Sequence, residues 1–216
     1  MERLADTRMR LCVDLKECEY LLIGLGEEWA RLEPAQIPGA YESLRRLAQG
    51  KDYFVVTTVT DGRIFESPLD GTRITAPCGN RNWLQCSCSC TKDIWERGEL
   101  PSEICPHCGA PLTENTIAAQ EYIEEGYLPQ WNAYKAWLAG TLNRRLLILE
   151  LGVGFGTPTV IRWPFEKTAF FNRKAHMYRV NQTFYQISEQ IRERAEAVEA
   201  NSVEFCREMI ENLSGI

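Results

Sequence analysis

Five of the nine cysteines in this 216-residue chain fall within 23 residues, and this cluster constrains the fold more than any other feature. The pattern is Cys86-x-Cys88-x-Cys90, followed after 14 residues by Cys105-Pro-His-Cys108 and a glycine. Two cysteine pairs on separate turns place four thiolates tetrahedrally around Zn²⁺, and the glycine permits a tight turn. The preferred ligands are Cys86, Cys90, Cys105 and Cys108, and Cys88 is an alternative for either member of the first pair. Four protein ligands leave no position for water, so we expect a structural site.

Two other interpretations of the cysteine cluster stay open. Cys-Pro-His-Cys is also the active-site tetrapeptide of strongly oxidising thioredoxin-fold proteins, in which the first cysteine caps a helix that lowers its pKa. Here the motif is followed by Gly-Ala-Pro, a poor helix start, and the upstream cysteines lie at zinc-ribbon spacing. Zinc is therefore favoured over redox chemistry, with unbound thiols as the third interpretation. The odd total argues against a disulfide framework.

Composition and charge exclude several function classes. With 44% apolar and 25% charged residues, the chain has an ordinary globular composition. Its net charge of −6 disfavours sequence-independent nucleic-acid binding, since counterion release rewards basic proteins. No apolar run approaches the roughly 20 residues of a membrane span, and the first residues lack the layout of a secretory signal. We therefore expect a soluble cytoplasmic protein with no nucleic-acid or membrane partner.

Outside the cysteine-rich segment, short apolar runs alternate with helical periodicity. The runs predict buried strands over 21–23, 53–59, 145–151 and 176–180. Helical spacing predicts helices over 3–18, 39–49 and 117–139, from about 163, and across the last thirty residues. Strands separated by helices indicate parallel βαβ construction. The predicted fold is a Rossmann-like parallel α/β sheet flanked by helices, with an inserted four-cysteine zinc-ribbon module.

The strongest predicted strand runs into Gly152-x-Gly154-x-Gly156, in front of a predicted helix. Glycines there let the backbone approach a phosphate, and the helix N-terminus favours negative charge. The motif is not Gly-x-Gly-x-x-Gly, because residue 157 is threonine, and such turns are often merely tight connections. Asn181, which ends the next strand, would hydrogen-bond a ribose or cap a turn.

A second glycine turn, Gly24-Leu-Gly26, follows the first predicted strand. Glu27 and Glu28 come directly after it, and two carboxylates would repel a diphosphate, which counts against an ordinary phosphate cradle. Arg162 either anchors the helix after the later glycine turn or pairs with a phosphate.

In order along residues 20–182, these motifs resemble those of the sirtuins, most closely the divergent bacterial ones that act as ADP-ribosyltransferases or sit beside macrodomains. The matching segments are 22–26 (the Gly-Ala-Gly NAD turn), 57–62 (Thr-Gln-Asn-x-Asp-Gly), 74–86 (the catalytic His-Gly before the first zinc cysteine), 105–109 (the second zinc knuckle), 151–158 (the Gly-Thr-Ser loop) and 180–181 (the ribose-binding Asn). The resemblance implies NAD as cofactor. The resemblance also predicts seven cofactor-binding residues: Gly24, Gly26, Thr58, Gly152, Gly154, Thr157 and Asn181.

The departures from the sirtuin pattern concern catalysis. Cys78 stands where the family has its general-base histidine, and a thiol of ordinary pKa, about 8.5, is a poor base at neutral pH. Val59 replaces the asparagine that positions water and the nicotinamide ribose, whereas Asp61 is retained. Asp61 and Cys78 are the remaining catalytic candidates. The stretch between Gly26 and the second strand is too short for the family's cofactor loop and small helical subdomain.

These features predict a sirtuin-like zinc protein that lacks ordinary deacetylase activity and binds a nucleotide (NAD or ADP-ribose) or a protein partner. The alternative is an active NAD-dependent protein deacylase or ADP-ribosyltransferase, whose partner would be an acylated or ADP-ribosylated protein. A pure interaction protein with an empty pocket is the third hypothesis. The predicted domains are a Rossmann-like domain with a reduced cofactor-loop region (1–62 and 113–216) and a connecting segment with the zinc-ribbon insert (63–112).

Overall fold

A six-stranded sheet, parallel throughout, forms the centre of the molecule in the computed structural model, which describes residues 2–214 and the side chains of residues 4–211. The strands are β1 (Tyr20–Leu25), β2 (Asp52–Thr57), β3 (Ile74–Thr75), β4 (Gly79–Cys86), β5 (Ile94–Glu96), β6 (Leu112–Thr116), β7 (Leu146–Leu151), β8 (Ala175–Asn181) and β9 (Ala195–Glu199). The parallel sheet has the order β3-β2-β1-β7-β8-β9. This arrangement confirms the predicted Rossmann-like architecture.

Helices cover both faces of this sheet, because alternate strand residues point to opposite sides. The helices are α1 (Glu2–Glu17), α2 (Glu27–Ala30), α3 (Ile37–Ala48), α4 (Leu128–Gly140), α5 (Arg162–Phe171) and α6 (Ser202–Ser214). Leu21 and Ile23 pack in one core with residues of α1, α3 and α6. Leu22, between them, packs in the other core with residues of α4 and α5. The central strands are therefore apolar at consecutive positions, as strands buried on both faces must be.

The direction of strand succession reverses between β1 and β7. The chain builds β2 and β3 outward from β1 on one side, then returns to build β7, β8 and β9 on the other. β1 and β7 are neighbours in register, with Leu25 opposite Leu151, so the turns that follow them lie side by side. In open parallel sheets, a crevice suited to ligands forms at such a reversal point, outside the carboxyl ends of the strands.

The cysteine-rich segment forms a separate three-stranded antiparallel sheet with the order β5-β4-β6. The pairing of β4 with β6 has a register shift between Asn80 and Leu84. The segment before it also contains β3, which pairs with β2 at the edge of the parallel sheet. The domain boundaries at 62 and 113 stay predictions, and residues 1, 215 and 216 of the predicted Rossmann-like range lie outside the described residues.

Two predicted helices were wrong in extent. The last thirty residues are not all helical: β9 pairs with β8, and α6 begins only at Ser202. Ala195 and Val198 belong to opposite cores, so their three-residue spacing reflects a strand buried on both faces rather than one helical face. The helix predicted over 117–139 begins at Leu128, because Pro129 is favoured in the first turn of a helix and the preceding residues form turns.

Within residues 2–214, no helix combines the length and the apolar character needed to cross a membrane.

Candidate functional site

The four predicted metal ligands come together in the small sheet. The Sγ atoms of Cys86, Cys90, Cys105 and Cys108 all lie within 4.8 Å of one another. Cys90 Sγ lies 3.5 Å from Cys86 Sγ and 3.6 Å from Cys105 Sγ, and Cys86 Sγ lies 3.5 Å from Cys108 Sγ. Four thiolates at about 2.3 Å from a tetrahedral zinc ion would be about 3.8 Å apart. The group therefore fits zinc with only a slight expansion.

The surroundings of the cysteine group bear on the Cys88 alternative and on the redox interpretation. Cys88 is exposed and lies outside the group, with Ser87 Oγ at 4.0 Å from its sulfur, so the first pair is Cys86 and Cys90. Cys105 lies in a turn rather than at a helix start, which is not the arrangement of a thioredoxin-type redox site. The backbone amide of Cys90 makes the largest contribution to lowering the pKa of Cys86 to about 6, whereas the neighbouring Cys108 sulfur raises the pKa of Cys90.

The two glycine turns pack directly against each other at the carboxyl edge of the parallel sheet. A Cβ on Gly26 would lie 2.4 Å from Val153 Cα and 2.5 Å from the Gly152 carbonyl oxygen. Gly152 has a φ of +65°, and a Cβ there would lie 2.5 Å from Glu28 Cβ. A Cβ on Gly24 would lie 2.6 Å from Ile161 Cγ2. These glycines are thus required by close packing, whether or not a ligand is bound.

Glu27 and Glu28 fold back onto this edge as hydrogen-bond acceptors. Glu27 Oε2 accepts the Gly154 N–H at 2.6 Å. Glu28 Oε1 accepts the Gln182 N–H, and Oε2 accepts the Ser202 N–H, each at 2.8 Å. These hydrogen bonds place the two carboxylates where they would compete with a diphosphate for backbone amides. The acidic side chains accept hydrogen bonds from backbone amides at the edge of the sheet where a nucleotide-binding fold offers such amides to its ligand.

A cavity of about 310 Å³ opens at the same edge. Two partly exposed rings flank it, since Phe155 and Phe184 meet edge to face with their centroids 5.3 Å apart. The Asn181 carboxamide shapes its rim: its oxygen accepts the N–H groups of Thr183 and Phe184, and its nitrogen donates to the Val153 carbonyl. Asn181 thus caps the turn after β8. The cavity is lined by Glu27, Glu28, Arg31, Gly152, Gly154, Phe155, Gly156, Asn181, Gln182, Thr183 and Phe184.

A buried charge network supports the two loops around the cavity. Glu150, fully buried on β7, accepts hydrogen bonds from Arg179 Nε at 2.6 Å and Nη2 at 3.0 Å, across the β7–β8 pair. Arg162 Nη1 donates to the Val153 and Phe184 carbonyls and lies 3.4 Å from Glu150 Oε1. Its guanidinium also stacks over the Phe155 ring at 4.2 Å. Of the two predicted roles for Arg162, the structure supports the anchor, because its donors face inward rather than toward a phosphate.

The predicted catalytic positions are filled by packed side chains. Cys78 is 3% exposed and its thiol donates to Thr157 Oγ1 at 3.7 Å. Burial raises the pKa of Cys78, with a further rise from the nearby Glu27 carboxylate, so the thiol stays neutral at physiological pH. Val59 belongs to the hydrophobic core. Neither a buried neutral thiol nor an alkyl side chain offers a general base.

The other two predicted residues of this region hold turns. Asp61 Oδ1 accepts the Arg63 N–H, and Asp61 Oδ2 lies 3.5 Å from Arg63 Nε. The Thr58 hydroxyl donates to the Leu25 carbonyl at 3.3 Å, which ties the end of β2 to the end of β1. Thr58 therefore lies beside the glycine turn after β1, on the same edge as the cavity.

Comparison with solved structures identifies this architecture. A mutant of a Sir2 homologue, in complex with ADP-ribose, superposes with a TM-score of 0.64 over 95% of this chain and 96% of that one, at 12% identity. A Sir2 homologue in complex with NAD superposes with a TM-score of 0.61 over 96% of this chain and 94% of the other, at 14% identity. The chain has the sirtuin fold. The resemblance predicted from the motifs is thereby confirmed.

Sequence relatives of this sirtuin-fold chain carry transferase names. The chain is 28% identical over 173 residues to a protein ADP-ribosyltransferase of Staphylococcus aureus (strain Mu50 / ATCC 700699), covering 72% of this chain and 55% of that protein. It is 28% identical over 141 residues to a probable bifunctional ADP-ribose hydrolase/ADP-ribosyltransferase of Fusarium oxysporum f. sp. cubense, covering 54% of this chain and 23% of that protein. The chain thus spans about half the length of the first relative and about a quarter of the second. No family model matches it.

Sequence reasoning missed the buried charge network and the two rings at the cavity. Glu150 interrupts an otherwise apolar strand, and Arg179 lies at the matching position of the next strand. A lone carboxylate in a strand buried on both faces needs a buried cation, so the sequence could have predicted this ion pair. No sequence pattern indicated Phe155 and Phe184, because exposed phenylalanines in loops have no periodicity.

Proposed function

We propose that this chain binds an adenine nucleotide of the NAD or ADP-ribose type at the cavity beside β1 and β7, without ordinary sirtuin deacetylase activity. The observation that carries the proposal is the position of the cavity, at the reversal point of the sheet between the Gly152–Gly156 loop and the Asn181–Phe184 loop. The superposed Sir2 homologues, whose complexes hold ADP-ribose or NAD, support the choice of nucleotide.

The loss of deacetylase activity is supported by the chemistry at Cys78 and Val59. Deacylation by a sirtuin needs a base that takes a proton from the NAD ribose, and the buried thiol of Cys78 stays protonated. Val59 supplies no polar group. The proposal includes a cytoplasmic location, which suits nine cysteines without a disulfide framework. It also includes a protein partner that carries an acyl or ADP-ribosyl group.

Calorimetric titration with NAD and with ADP-ribose, up to millimolar ligand, tests the binding. We expect saturable heat with at least one of the two nucleotides. Thr183→Trp, which places a large side chain in the cavity, should abolish the heat, while Thr72→Trp on a distant exposed turn should preserve it. No heat with either nucleotide contradicts the proposal.

The second candidate function is ADP-ribosyl transfer, which the names of the two sequence relatives favour. Asp61 is the catalytic carboxylate that the sirtuin resemblance retains for such chemistry. Release of nicotinamide from NAD, measured with and without an acylated peptide or an acceptor protein, distinguishes the candidates. We expect the wild-type chain to release nicotinamide no faster than a Cys78→Ala variant does. Release that depends on Asp61 would establish the enzyme instead.

A further inference from the structure

Three backbone amides converge on the carboxyl edge of the sheet, and the chain's own carboxylates occupy all three. They come from separate segments: Gly154 in the glycine loop, Gln182 in the loop after β8, and Ser202 at the start of α6. Converging backbone N–H groups at the end of a parallel sheet are donors that phosphate groups use. The two acidic side chains therefore satisfy donors that a diphosphate would otherwise take.

The position of Glu27 is the more obstructive of the two. Its carboxyl oxygens lie 3.1 Å from the points where Cβ atoms on Gly154 and Gly156 would be, so the carboxylate lies against the loop itself. A phosphate cannot accept the Gly154 N–H until this carboxylate leaves. Two negative groups that share one loop also repel each other.

Glu27 and Glu28 differ in how firmly they are held. Both oxygens of Glu28 accept backbone amides, and its Cβ packs under Gly152. Among the described residues, Glu27 accepts one hydrogen bond, from the Gly154 N–H, and its side chain is half-buried at the first position of the four-residue helix α2. Displacement of Glu27 thus costs one hydrogen bond, whereas displacement of Glu28 would open the floor of the cavity.

A second observation concerns a buried polar group beneath the same loop. The Ser202 hydroxyl is fully buried at the N-terminus of the 13-residue helix α6, and it has no hydrogen-bond partner among the described residues. Its oxygen lies 2.8 Å from the point where a Cβ on Gly152 would be, beneath the glycine loop. Buried hydroxyls are nearly always paired. The Ser202 hydroxyl is thus a polar group beneath the glycine loop that the described residues leave unsatisfied.

We propose that Glu27 is a tethered internal anion that occupies the diphosphate position in the free chain and must be displaced before a nucleotide diphosphate binds. The inference rests on the proposed nucleotide site and adds its regulation. Because the carboxylate is attached to the chain, it competes at a high effective concentration and weakens every ligand that carries a diphosphate. A nucleoside without phosphates does not meet this competitor.

The test compares wild-type chain, Glu27→Gln and Glu27→Ala by calorimetry with ADP-ribose, inorganic pyrophosphate and adenosine. Glu27→Gln removes the charge at constant size, and Glu27→Ala also removes the acceptor. Glu204→Gln is the matched control, because Glu204 is an exposed carboxylate in the first turn of α6. We expect both Glu27 variants to bind ADP-ribose and pyrophosphate at least about 10-fold more tightly, which corresponds to about 1.4 kcal/mol. Adenosine binding and the control should stay unchanged.

Each other outcome has a definite meaning. ADP-ribose affinities within twofold of wild type in both Glu27 variants would overturn the inference and leave the nucleotide site standing. Equal tightening for adenosine would also overturn it, since the substitution would then have loosened the whole cavity. If no variant binds ADP-ribose or adenosine, the inference and the proposed function both fail.

A measurement on the wild-type chain removes any dependence on the folding of the variants. The Gly154 amide proton, hydrogen-bonded to a carboxylate in the free chain, is observed by nuclear magnetic resonance during titration with ADP-ribose. We expect its resonance to shift as phosphate replaces Glu27, while adenosine leaves it in place. An unmoved Gly154 resonance at saturating ADP-ribose would contradict the inference.

Discussion

Replacing Arg179 by methionine should destabilise the chain far more than the loss of any surface ion pair. Arg179 is 1% exposed and donates to Glu150 through two nitrogens, to Glu166 at 2.7 Å and to the Gln186 carbonyl at 2.7 Å. In Arg179→Met, the fully buried Glu150 keeps only the Arg162 Nη1 contact at 3.4 Å. The substitution therefore leaves a carboxylate poorly compensated inside the protein.

The expected cost follows from that uncompensated charge. Removing one partner of a buried ion pair costs about 3–5 kcal/mol. With a urea dependence of about 3 kcal/mol per molar for a chain of this size, the unfolding midpoint should fall by about 1–2 M. Circular dichroism during urea titration measures this midpoint for the wild type and Arg179→Met.

Two further variants make the test specific. Arg192→Met, which removes an exposed cation 3.9 Å from Glu189, should leave the midpoint unchanged within error. The double variant Glu150→Leu, Arg179→Met should be more stable than Arg179→Met alone, because no buried carboxylate remains. A loss below about 1 kcal/mol in Arg179→Met, or a double variant no more stable than the single one, would refute the reasoning.

Three further predictions concern the metal group, the glycine turns and the thiol. Metal analysis should find one zinc per chain, lost in Cys105→Ser and kept in Cys88→Ser; zinc-free wild type would contradict the site. Gly26→Ala should unfold the chain, because its Cβ would lie 2.4 Å from Val153 Cα. Gly39→Ala has open space around the added Cβ in α3 and should stabilise the chain by about 0.5–1 kcal/mol, measured in thermal melts. At about pH 8.5, where an ordinary thiol is half ionised, iodoacetamide should modify exposed Cys88 and spare Cys78, whose raised pKa keeps it protonated; equal labelling would refute this.

The sequence-based prediction succeeded where local pattern and burial coincide. β1 and β7 are apolar at nearly every position because both faces of each strand are covered, and their runs were readable for that reason. The zinc group was readable because metal chemistry restricts the spacing of Cys86, Cys90, Cys105 and Cys108. Glycine turns after strands marked the edge of the sheet where the cavity lies.

The features that sequence reasoning missed depend on contacts between distant segments. β9 was predicted as helix because its buried apolar residues, Ala195 and Val198, are three apart, although they lie on opposite faces of a strand. The sequence showed Glu27 beside a glycine turn, but its bond to Gly154 joins positions 127 residues apart. The choice between an anchoring and a phosphate-binding Arg162 likewise depended on the positions of two carbonyl groups, those of Val153 and Phe184, in the loops after β7 and β8.

The cavity between the Gly152–Gly156 loop and the Asn181–Phe184 loop is the nucleotide site that we propose. A crystal structure of the chain soaked with ADP-ribose tests it most directly. We expect density for the diphosphate at the Gly154 amide, with Glu27 turned away and the nucleoside against the Asn181–Phe184 loop. An empty cavity at saturating ADP-ribose, with Glu27 still bonded to Gly154, or a ligand bound elsewhere on the chain, would contradict the claim.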